Sequence, residues 1–189
     1  MPLTTMKPHD EQTVIDTRKQ RRKWMRKSVE TLLLPEFSRR GFQPVPWNEE
    51  EAKSAWRTLV PFGRWRRRTS DGFEIIQVYF DPYGGPGFWI RFGAIPEGGT
   101  TDVFGNHLAA EDAWAEYLPV MYSTAPFRFF QAYCQQFKVR KWPWQSHTEA
   151  DYVALVRRVI ALMPDIETAL REGRCGPHIR VVDMRTEAE

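Results

Sequence analysis

The strongest constraint on the fold comes from two segments, 64–68 and 73–80, that are predicted to pair as a β-hairpin. The four residues between them end in Asp-Gly, which tolerates the positive φ of a tight turn. The second segment is apolar on both faces: one carries Phe73, Ile75 and Tyr79, and the other carries Ile76, Val78 and Phe80. Such a strand is typical of the centre of a sheet that is covered on two sides. We therefore expect either a central strand that is covered on two sides or a sheet with a helix layer.

A third strand over 88–95 follows a turn rich in Gly and Pro, and together the three strands make an antiparallel meander. Helices are predicted on either side of this meander. Residues 11–41 are predicted to be helical, with a mostly polar first half and apolar spacings of three and four in the second half. Pro35 is expected to kink or restart this helix, and Gly41 is expected to end it. A capped helix begins after Thr148 and breaks at Pro164. The fold class is therefore α+β, with an antiparallel sheet of three or more strands packed by N-terminal and C-terminal helices.

The remaining segments give weaker patterns. Asn48 and the glutamates that follow it predict a helix that ends at Pro61. Residues 109–118 are predicted to be helical, 127–137 are ambiguous with helix favoured, and Ile179 to Val182 are predicted to form an edge strand. Pro44 and Pro46 indicate a short extended link.

The chain has 189 residues, a length typical of one domain. We expect residues 1–10, with two prolines and no periodicity, to be a flexible arm, and 11–189 to form a single domain with a basic N-terminal helix. The sequence shows no signal peptide and no apolar stretch of membrane-spanning length. Its two cysteines, Cys134 and Cys175, lie in no paired motif. These features predict a soluble, cytoplasmic protein.

The net charge of +3 conceals an asymmetry along the chain. Residues 1–70 hold 16 Lys/Arg and 8 Asp/Glu, a net of +8, whereas residues 71–189 hold 11 and 16, a net of −5. Most of the positive excess lies in one helix and one strand. Three clusters, the third of them in the second half of the chain, combine cations with tryptophan, and this combination suits phosphate contacts and base stacking. Their candidate interaction residues are Arg18, Lys19, Arg21, Arg22, Lys23, Trp24, Arg26 and Lys27 in the first cluster, Arg64, Arg66 and Arg68 in the second, and Lys138, Arg140, Lys141, Trp142 and Trp144 in the third.

A structural explanation of the same clusters is also available. Arginine stems cover apolar surface, cations guard strand edges, and tryptophans anchor cores. In segment 64–68, alternation places Arg64, Arg66 and Arg68 on one face, which we expect to be exposed, opposite a half-buried face that carries Trp65 and Arg67.

Catalytic and cofactor motifs are not found in the sequence. None of the four histidines has a second ligand at metal-binding spacing. The segment 84–87 is rich in Gly but precedes a strand, and Pro86 lacks the amide that would hold a phosphate, so we interpret it as a β-connection. Carboxylates at 49–51 and 111–112 are expected to complement helix dipoles. We predict no cofactor and no metal, and an enzymatic activity is left uncertain.

Several segments together give the chain a family resemblance. They are Gly41-Phe42 at a helix end, strands over 65–68, 74–80 and 88–93, and closing helices over 156–170 around Met163-Pro164. In this order of elements the chain resembles a family of small bacterial α+β proteins classed as a domain of unknown function. The resemblance covers residues 29–95 and 150–172, and the chain departs from the family in its basic N-terminal helix and at 48–60 and 105–145. Because proteins of this family are discussed as toxin-immunity or defence-associated binders, the resemblance implies binding without assigned catalytic residues.

We therefore expect a non-enzymatic binding protein of the bacterial cytosol, with an immunity or defence role against a partner protein. The alternative is binding of nucleic acid or another polyanion through the basic helix 18–27 and the Trp/Arg clusters. An enzyme with an unrecognised site is the third hypothesis. No membrane association is expected, and homo-oligomerisation is left open.

Overall fold

A computed structural model describes residues 8–54, 56–102, 104–118, 120–124, 126, 136–142 and 144–183. The helices in this part of the chain are α1 (Pro8–Ser28), a π-helical turn (Val29–Leu33), α2 (Leu34–Arg39), α3 (Glu49–Lys53), α4 (Trp56–Leu59), a 3-10 turn (Ala115–Tyr117), α5 (Glu149–Ile160) and α6 (Met163–Glu172). The strands are β1 (Gln43–Val45), β2 (Arg64–Arg68), β3 (Gly72–Phe80), β4 (Gly87–Pro96), β5 (Thr100–Thr101), β6 (His107–Leu108), β7 (Val120–Thr124), β8 (Phe137–Lys138) and β9 (Ile179–Asp183).

Seven strands form one antiparallel sheet in the order β1-β2-β3-β4-β7-β9, with β8 paired to the start of β4. Strands β5 and β6 make a separate two-stranded ribbon. The predicted meander is confirmed, since β2 pairs with β3 and β3 with β4 along their lengths. In the first turn of the meander the Thr69 N–H donates to the Gly72 carbonyl at 2.9 Å, and Gly72 takes a φ of 146°, a region that suits glycine alone. The α+β class is confirmed as well.

The two faces of β3 and β4 enter different cores, as the alternating apolar pattern indicates. On one face, Ile76, Val78 and Phe80 pack in a large core against the helices; this core also contains Met25 and Phe37 from the N-terminal helices and Tyr152 and Ile166 from α5 and α6. On the other face, Ile75 and Tyr79 lie in two smaller cores under residues 47, 59–60 and 108–118. The sheet is therefore covered by helices on one side and mainly by loops on the other.

The helix predicted over 109–118 is wrong. Residues 110–112 form turns, Trp114 is extended (φ −114°, ψ 147°), and only Ala115–Tyr117 make a short 3-10 turn. The reason is a tertiary contact: the Ala115 N–H donates to Oε1 of buried Gln77 of β3 at 2.6 Å. In a helix the same N–H would donate to a backbone carbonyl four residues earlier. Glu111 and Asp112 consequently lie outside any helical first turn.

Several element boundaries also differ from the sequence expectations. The first helix begins at Pro8, so residues 8–10 of the expected arm are helical, and residues 1–7 lie outside the described part. At Pro35 the helix restarts after a π turn in which the Leu34 N–H bonds the Val29 carbonyl. The predicted helix after Asn48 is divided into α3 and α4 by extended Ser54. Gln43–Val45, expected as a link, pairs with β2 as an edge strand, where proline is tolerated.

The predicted C-terminal elements are present. Asp151 accepts hydrogen bonds from the backbone N–H (2.7 Å) and hydroxyl (2.9 Å) of Thr148 at the start of α5. Pro164, the predicted break, lies in the first turn of α6, which starts at Met163. The predicted edge strand is β9, which pairs with β7. The ambiguous segment 127–137 is described only at its end, where Phe137 begins β8, and Cys134 lies outside the described residues.

Candidate basic and aromatic surface

The first basic cluster lies on the second half of α1, and its members differ in exposure and in partners. Trp24 packs on Tyr152 of α5, with ring centroids 5.9 Å apart, and the Lys27 ammonium pairs with Glu149 at 2.8 Å. On another side of the helix, Arg22 donates to the Thr58 carbonyl at 3.4 Å and Arg26 lies over the Phe62 ring. These contacts fix α1 between α5 and the α4 region.

Three further cations of this cluster, Arg18, Lys19 and Lys23, are exposed. Within the part of the chain that the structure describes, they form no ion pair. Arg21 is half-buried beside His147 and Tyr152, and its Nε has no hydrogen-bond partner among the described atoms. The cluster therefore presents free positive charge beside the α1–α5 contact.

The third basic cluster runs from Lys138 of β8 to a turn just before α5 that carries its two tryptophans. Trp142 and Trp144 are 66% and 77% exposed and stack on each other, with centroids 5.2 Å apart and an interplanar angle of 7°. The Gln145 N–H donates to the Trp142 carbonyl at 2.9 Å, and the Lys141 ammonium donates to the Ser146 carbonyl at 2.8 Å. These bonds close the turn, so the tryptophan pair is held in water rather than in the core.

The first and third clusters meet at the first turn of α5. Lys27 bonds Glu149, whereas Lys141 bonds Asp151 at 2.6 Å, and these two carboxylates are only two residues apart. A rise of about 1.5 Å per helical residue places both ion pairs within one turn. The structure thus joins two clusters that are more than a hundred residues apart in sequence. We call the joined region, with Trp142 and Trp144, the α5 N-terminal surface.

The ionisable groups at this junction have shifted pKa values with identifiable causes. The hydrogen bond from Lys141, aided by those from Thr148, lowers the pKa of Asp151 to about 2. Burial lowers the pKa of His147, helped by Arg21 and Lys141, and this imidazole shares a 3.0 Å hydrogen bond with the Tyr152 hydroxyl. Burial raises the pKa of Tyr152 to about 12. At pH 7, His147 is therefore neutral, and the cations carry the charge of this surface.

A cavity of about 430 Å³ opens farther along α5. Its polar lining contains Lys138 and Arg140 from the third cluster together with Arg158 and His178, and its apolar lining includes Phe137, Leu155 and Leu162. Sequence reasoning did not select Arg158 or His178 as site residues. A signal was present for Arg158: it lies three residues after Leu155 on α5, which places a cation beside an apolar residue on one face of the helix.

The three arginines of the second basic cluster differ in burial, from buried Arg64 through half-buried Arg66 to exposed Arg68. Arg64, expected on an exposed face, is only 5% exposed, so that expectation is wrong. Its guanidinium pairs with Glu51 at 2.9 Å and lies 4.8 Å from the Trp114 ring centre. Burial lowers the pKa of Arg64, opposed by Glu51. The reason for the burial is that residues 108–118 cover this face of the sheet, which a local alternation pattern cannot show.

The other arginines of β2 are also engaged. Arg66 is half-buried beside the Phe73 ring, and its pKa is lowered by burial and by Arg64. Arg68 is exposed and pairs with Glu97 at 2.5 Å. Arg67, on the opposite face, bonds Glu74 at 2.6 Å and Glu167 at 3.0 Å. Of these arginines, Arg67 connects the sheet to α6 through Glu167.

A row of polar residues crosses the loop-covered face of the sheet at one register. Arg64 is opposite Gln77, Gln77 opposite Arg91, Arg91 opposite Ser123, and Ser123 opposite Arg180. The first four are buried, and the Nε2 of Gln77 has no partner among the described atoms. Arg91 stacks over Tyr79 at 4.6 Å. Buried rows of this kind fix strand register, because a slip by one residue would move these polar groups to the helix-covered core.

The described residues contain no group of three or more His, Cys, Asp or Glu side chains placed to hold a metal ion. Within the same ranges, no helix has both the length and the apolar character needed to cross a membrane. No protein-family model, curated protein or solved structure matches this chain. The class that the structure defines is therefore an α+β protein with a seven-stranded antiparallel sheet and a basic, aromatic surface at the start of α5.

Proposed function

We propose that the protein binds single-stranded nucleic acid on the α5 N-terminal surface. The observation that carries this proposal is the exposed, stacked pair Trp142–Trp144, held in a turn beside a concentration of cations. Unpaired bases stack on exposed aromatic rings, and each stacked base contributes about 1–3 kcal/mol to the binding free energy, whichever of the bases it is. A duplex offers fewer such faces because its bases already stack on one another.

Exposed cations of the first basic cluster suit the phosphates of such a strand. Arg18, Lys19 and Lys23 form no ion pair with described residues, and Glu149 and Asp151 are each neutralised by a lysine. A strand that contacts these three cations would release condensed counterions, so its affinity would fall with salt at a log–log slope of about −2. The second basic cluster has no part in this proposal, because Arg64 is buried, Arg66 is half-buried and Arg68 is paired with Glu97.

The test is a fluorescence-anisotropy titration of a labelled oligothymidylate of about 12 nucleotides at several salt concentrations. We expect Trp142→Ala/Trp144→Ala to weaken binding about tenfold or more while it leaves the salt slope unchanged. We expect Arg18→Gln/Lys19→Gln/Lys23→Gln to weaken binding and to bring the salt slope close to zero, because three phosphate contacts are removed.

The matched control is Arg68→Gln/Arg171→Gln/Arg174→Gln, which also removes three positive charges from exposed positions. These arginines pair with acidic residues elsewhere on the molecule, so affinity should stay within about twofold of the wild-type value. If the oligonucleotide does not bind at about 50 mM salt, or if the control triple variant weakens binding as much as the α1 variant, the proposal is wrong.

A protein partner is the second candidate, and the same tryptophan pair favours it. Trp and Arg are the residue types most enriched in binding hot spots, and a partner with an acidic surface would complement the cations. The bacterial cytosol as the location, and an immunity or defence role, belong to this candidate as predictions from the sequence. Affinity capture from a bacterial lysate with wild-type protein and with Trp142→Ala/Trp144→Ala would test it. A partner retained equally by both proteins would argue against this surface.

A further inference from the structure

The cavity beside α5 combines an apolar wall with a cationic rim. Phe137 of β8 and Leu155 of α5 are 5% and 4% exposed in the folded chain, and together with Leu162 they form a wall that can hold a ring or an aliphatic group. The volume of about 430 Å³ lies within the range of small-molecule sites, and it is too small to enclose a folded partner or a length of nucleic acid.

The polar part of the lining is positively charged. Lys138, Arg140 and Arg158 face the same cavity together with His178, and none of the described residues that line it is acidic. Lys138 and Arg158 are exposed, and neither forms an ion pair with any residue in the described ranges. The like charges of Lys138 and Arg158, which line one cavity, repel each other unless an anion lies between them. The lining therefore favours an anionic ligand over a neutral one or a metal ion.

We propose that this cavity binds an organic phosphate, meaning a phosphomonoester carried on an aromatic or apolar body. The Arg158 guanidinium presents paired N–H groups that match phosphate oxygens, and Lys138 adds a point charge for a second negative charge. The apolar wall distinguishes such a ligand from inorganic phosphate, because only a ligand with an apolar body gains from contact with Phe137 and Leu162. The inference is independent of strand binding on the α5 N-terminal surface, since the tryptophan pair takes no part in it.

The test is isothermal titration of the wild-type protein with phenyl phosphate and adenosine 5′-monophosphate, and with phenol, adenosine and inorganic phosphate for comparison. We expect saturable binding of at least one of the two phosphomonoesters, at least tenfold tighter than binding of its neutral analogue or of inorganic phosphate. Arg158→Gln and Lys138→Gln should each weaken that binding about tenfold, because each removes a charge-assisted hydrogen bond.

Arg157→Gln is the matched control, because Arg157 precedes Arg158 on α5 and is also exposed but does not line the cavity. It should change the affinity less than twofold. Since the substituted positions are exposed, all three variants should keep the wild-type unfolding temperature. If neither phosphomonoester binds, or if Arg158→Gln and Arg157→Gln have the same effect, the proposal is overturned.

A second arm of the experiment identifies the source of the phosphate. A labelled oligonucleotide with a 5′-phosphate is compared with the same oligonucleotide without it. Tighter binding of the phosphorylated strand that Arg158→Gln abolishes would identify the end of a strand as the ligand. Equal binding of the two strands, together with saturable binding of adenosine 5′-monophosphate, would identify a free nucleotide-like molecule. If neither pattern is seen and phenyl phosphate also fails to bind, the cavity does not hold an organic phosphate.

Discussion

Arg64 and Arg67 of β2 differ in role because residues an odd number of positions apart in a strand face opposite sides of the sheet. Arg64 is buried under the segment that carries Trp114 and depends on Glu51 for charge compensation. Arg67 faces the other side, where Glu74 and Glu167 bond it. Glu51 has three roles, since it also accepts from the Asn48 backbone N–H and from the Trp114 indole N–H. A carboxylate predicted to complement a helix dipole thus also compensates a buried charge.

Replacing Glu51 by Gln should lower the free energy of unfolding by about 2 kcal/mol, since Arg64 would stay buried without an anionic partner. Asn48 shares only the helix cap with Glu51 and contributes nothing to the contacts with Arg64 and Trp114. Asn48→Ala, which removes the side chain that caps α3, should therefore lower the free energy of unfolding by only about 1 kcal/mol. Urea unfolding at pH 7 measures both values. Equal losses for the two variants would show that Glu51 acts through the cap alone.

The Asp151 carboxylate gives a pH-dependent contribution to stability. Its pKa is about 2 in the folded protein, below the ordinary value of 3.8, so the folded state favours the ionised form. The stabilisation is therefore fully present above about pH 4 to 5 and is lost as the pH falls towards 2. We expect the difference in unfolding temperature between wild-type and Asp151→Asn to be constant from about pH 7 to 5. It should shrink below that range, and a constant difference down to pH 2 would contradict this account.

At the scale of elements, the packing on the loop-covered face of the sheet depends on a close approach between β4 and the segment that ends at Leu118. Gly93 of β4 lies under Leu118, and a Cβ at Gly93 would come within 2.5 Å of the Leu118 Cδ1. Leu118 is buried in the core that also contains Ile75, Ile95 and Met121. The absence of a side chain at Gly93 thus allows the segment after the 3-10 turn to pack directly on the strand.

Gly93→Ala should destabilise the protein by about 1–3 kcal/mol, because Leu118 has to move out of a packed core. Leu118→Ala removes the clash, so the double variant should lose less than the sum of the two single variants. Gly98→Ala is the control, since a Cβ at Gly98 would have no atom within 4 Å and the φ of Gly98 is not positive. Chemical unfolding of the four proteins measures these differences. Strict additivity would show that the two positions do not interact.

At the scale of the whole molecule, β3 and β4 contribute side chains to the cores on both faces of the sheet. The helix-covered core contains Ile76 and Phe92, and the loop-covered cores contain Ile75 and Trp89. Loss of either covering layer would expose residues of the same two strands. The two sides should therefore unfold together, as expected for the single domain that the sequence predicts over 11–189.

This coupling predicts one cooperative unfolding transition. Far-ultraviolet circular dichroism, which follows helices and strands, and tryptophan fluorescence, which follows side-chain packing, should give the same midpoint in urea. Gly93→Ala acts on the loop-covered side and Trp24→Ala on the helix-covered side, and each should shift both signals equally. Two separated transitions, or a shift of only one signal, would show that the layers unfold independently.

Much of the architecture follows from local sequence patterns. Alternation over 73–80 predicts a strand covered on both faces, Asp71-Gly72 predicts the turn, and Thr148 with Asp151 predicts the start of α5. These features depend on residues close together in the chain, so backbone preference and side-chain periodicity are sufficient to predict them. The three basic clusters can also be identified from the sequence, because the formal charge of each residue is known from its type.

Only the tertiary structure decided which of these charges reach solvent. Arg64 is buried because residues 108–118 cover its face of the sheet, and those residues are not helical because Gln77 takes the Ala115 N–H. The first and third clusters meet because Glu149 and Asp151 lie on one turn of α5, and Arg158 lines a cavity with residues distant in sequence. Each outcome depends on contacts between remote segments, and these contacts arise only when the sheet and its two covering layers assemble.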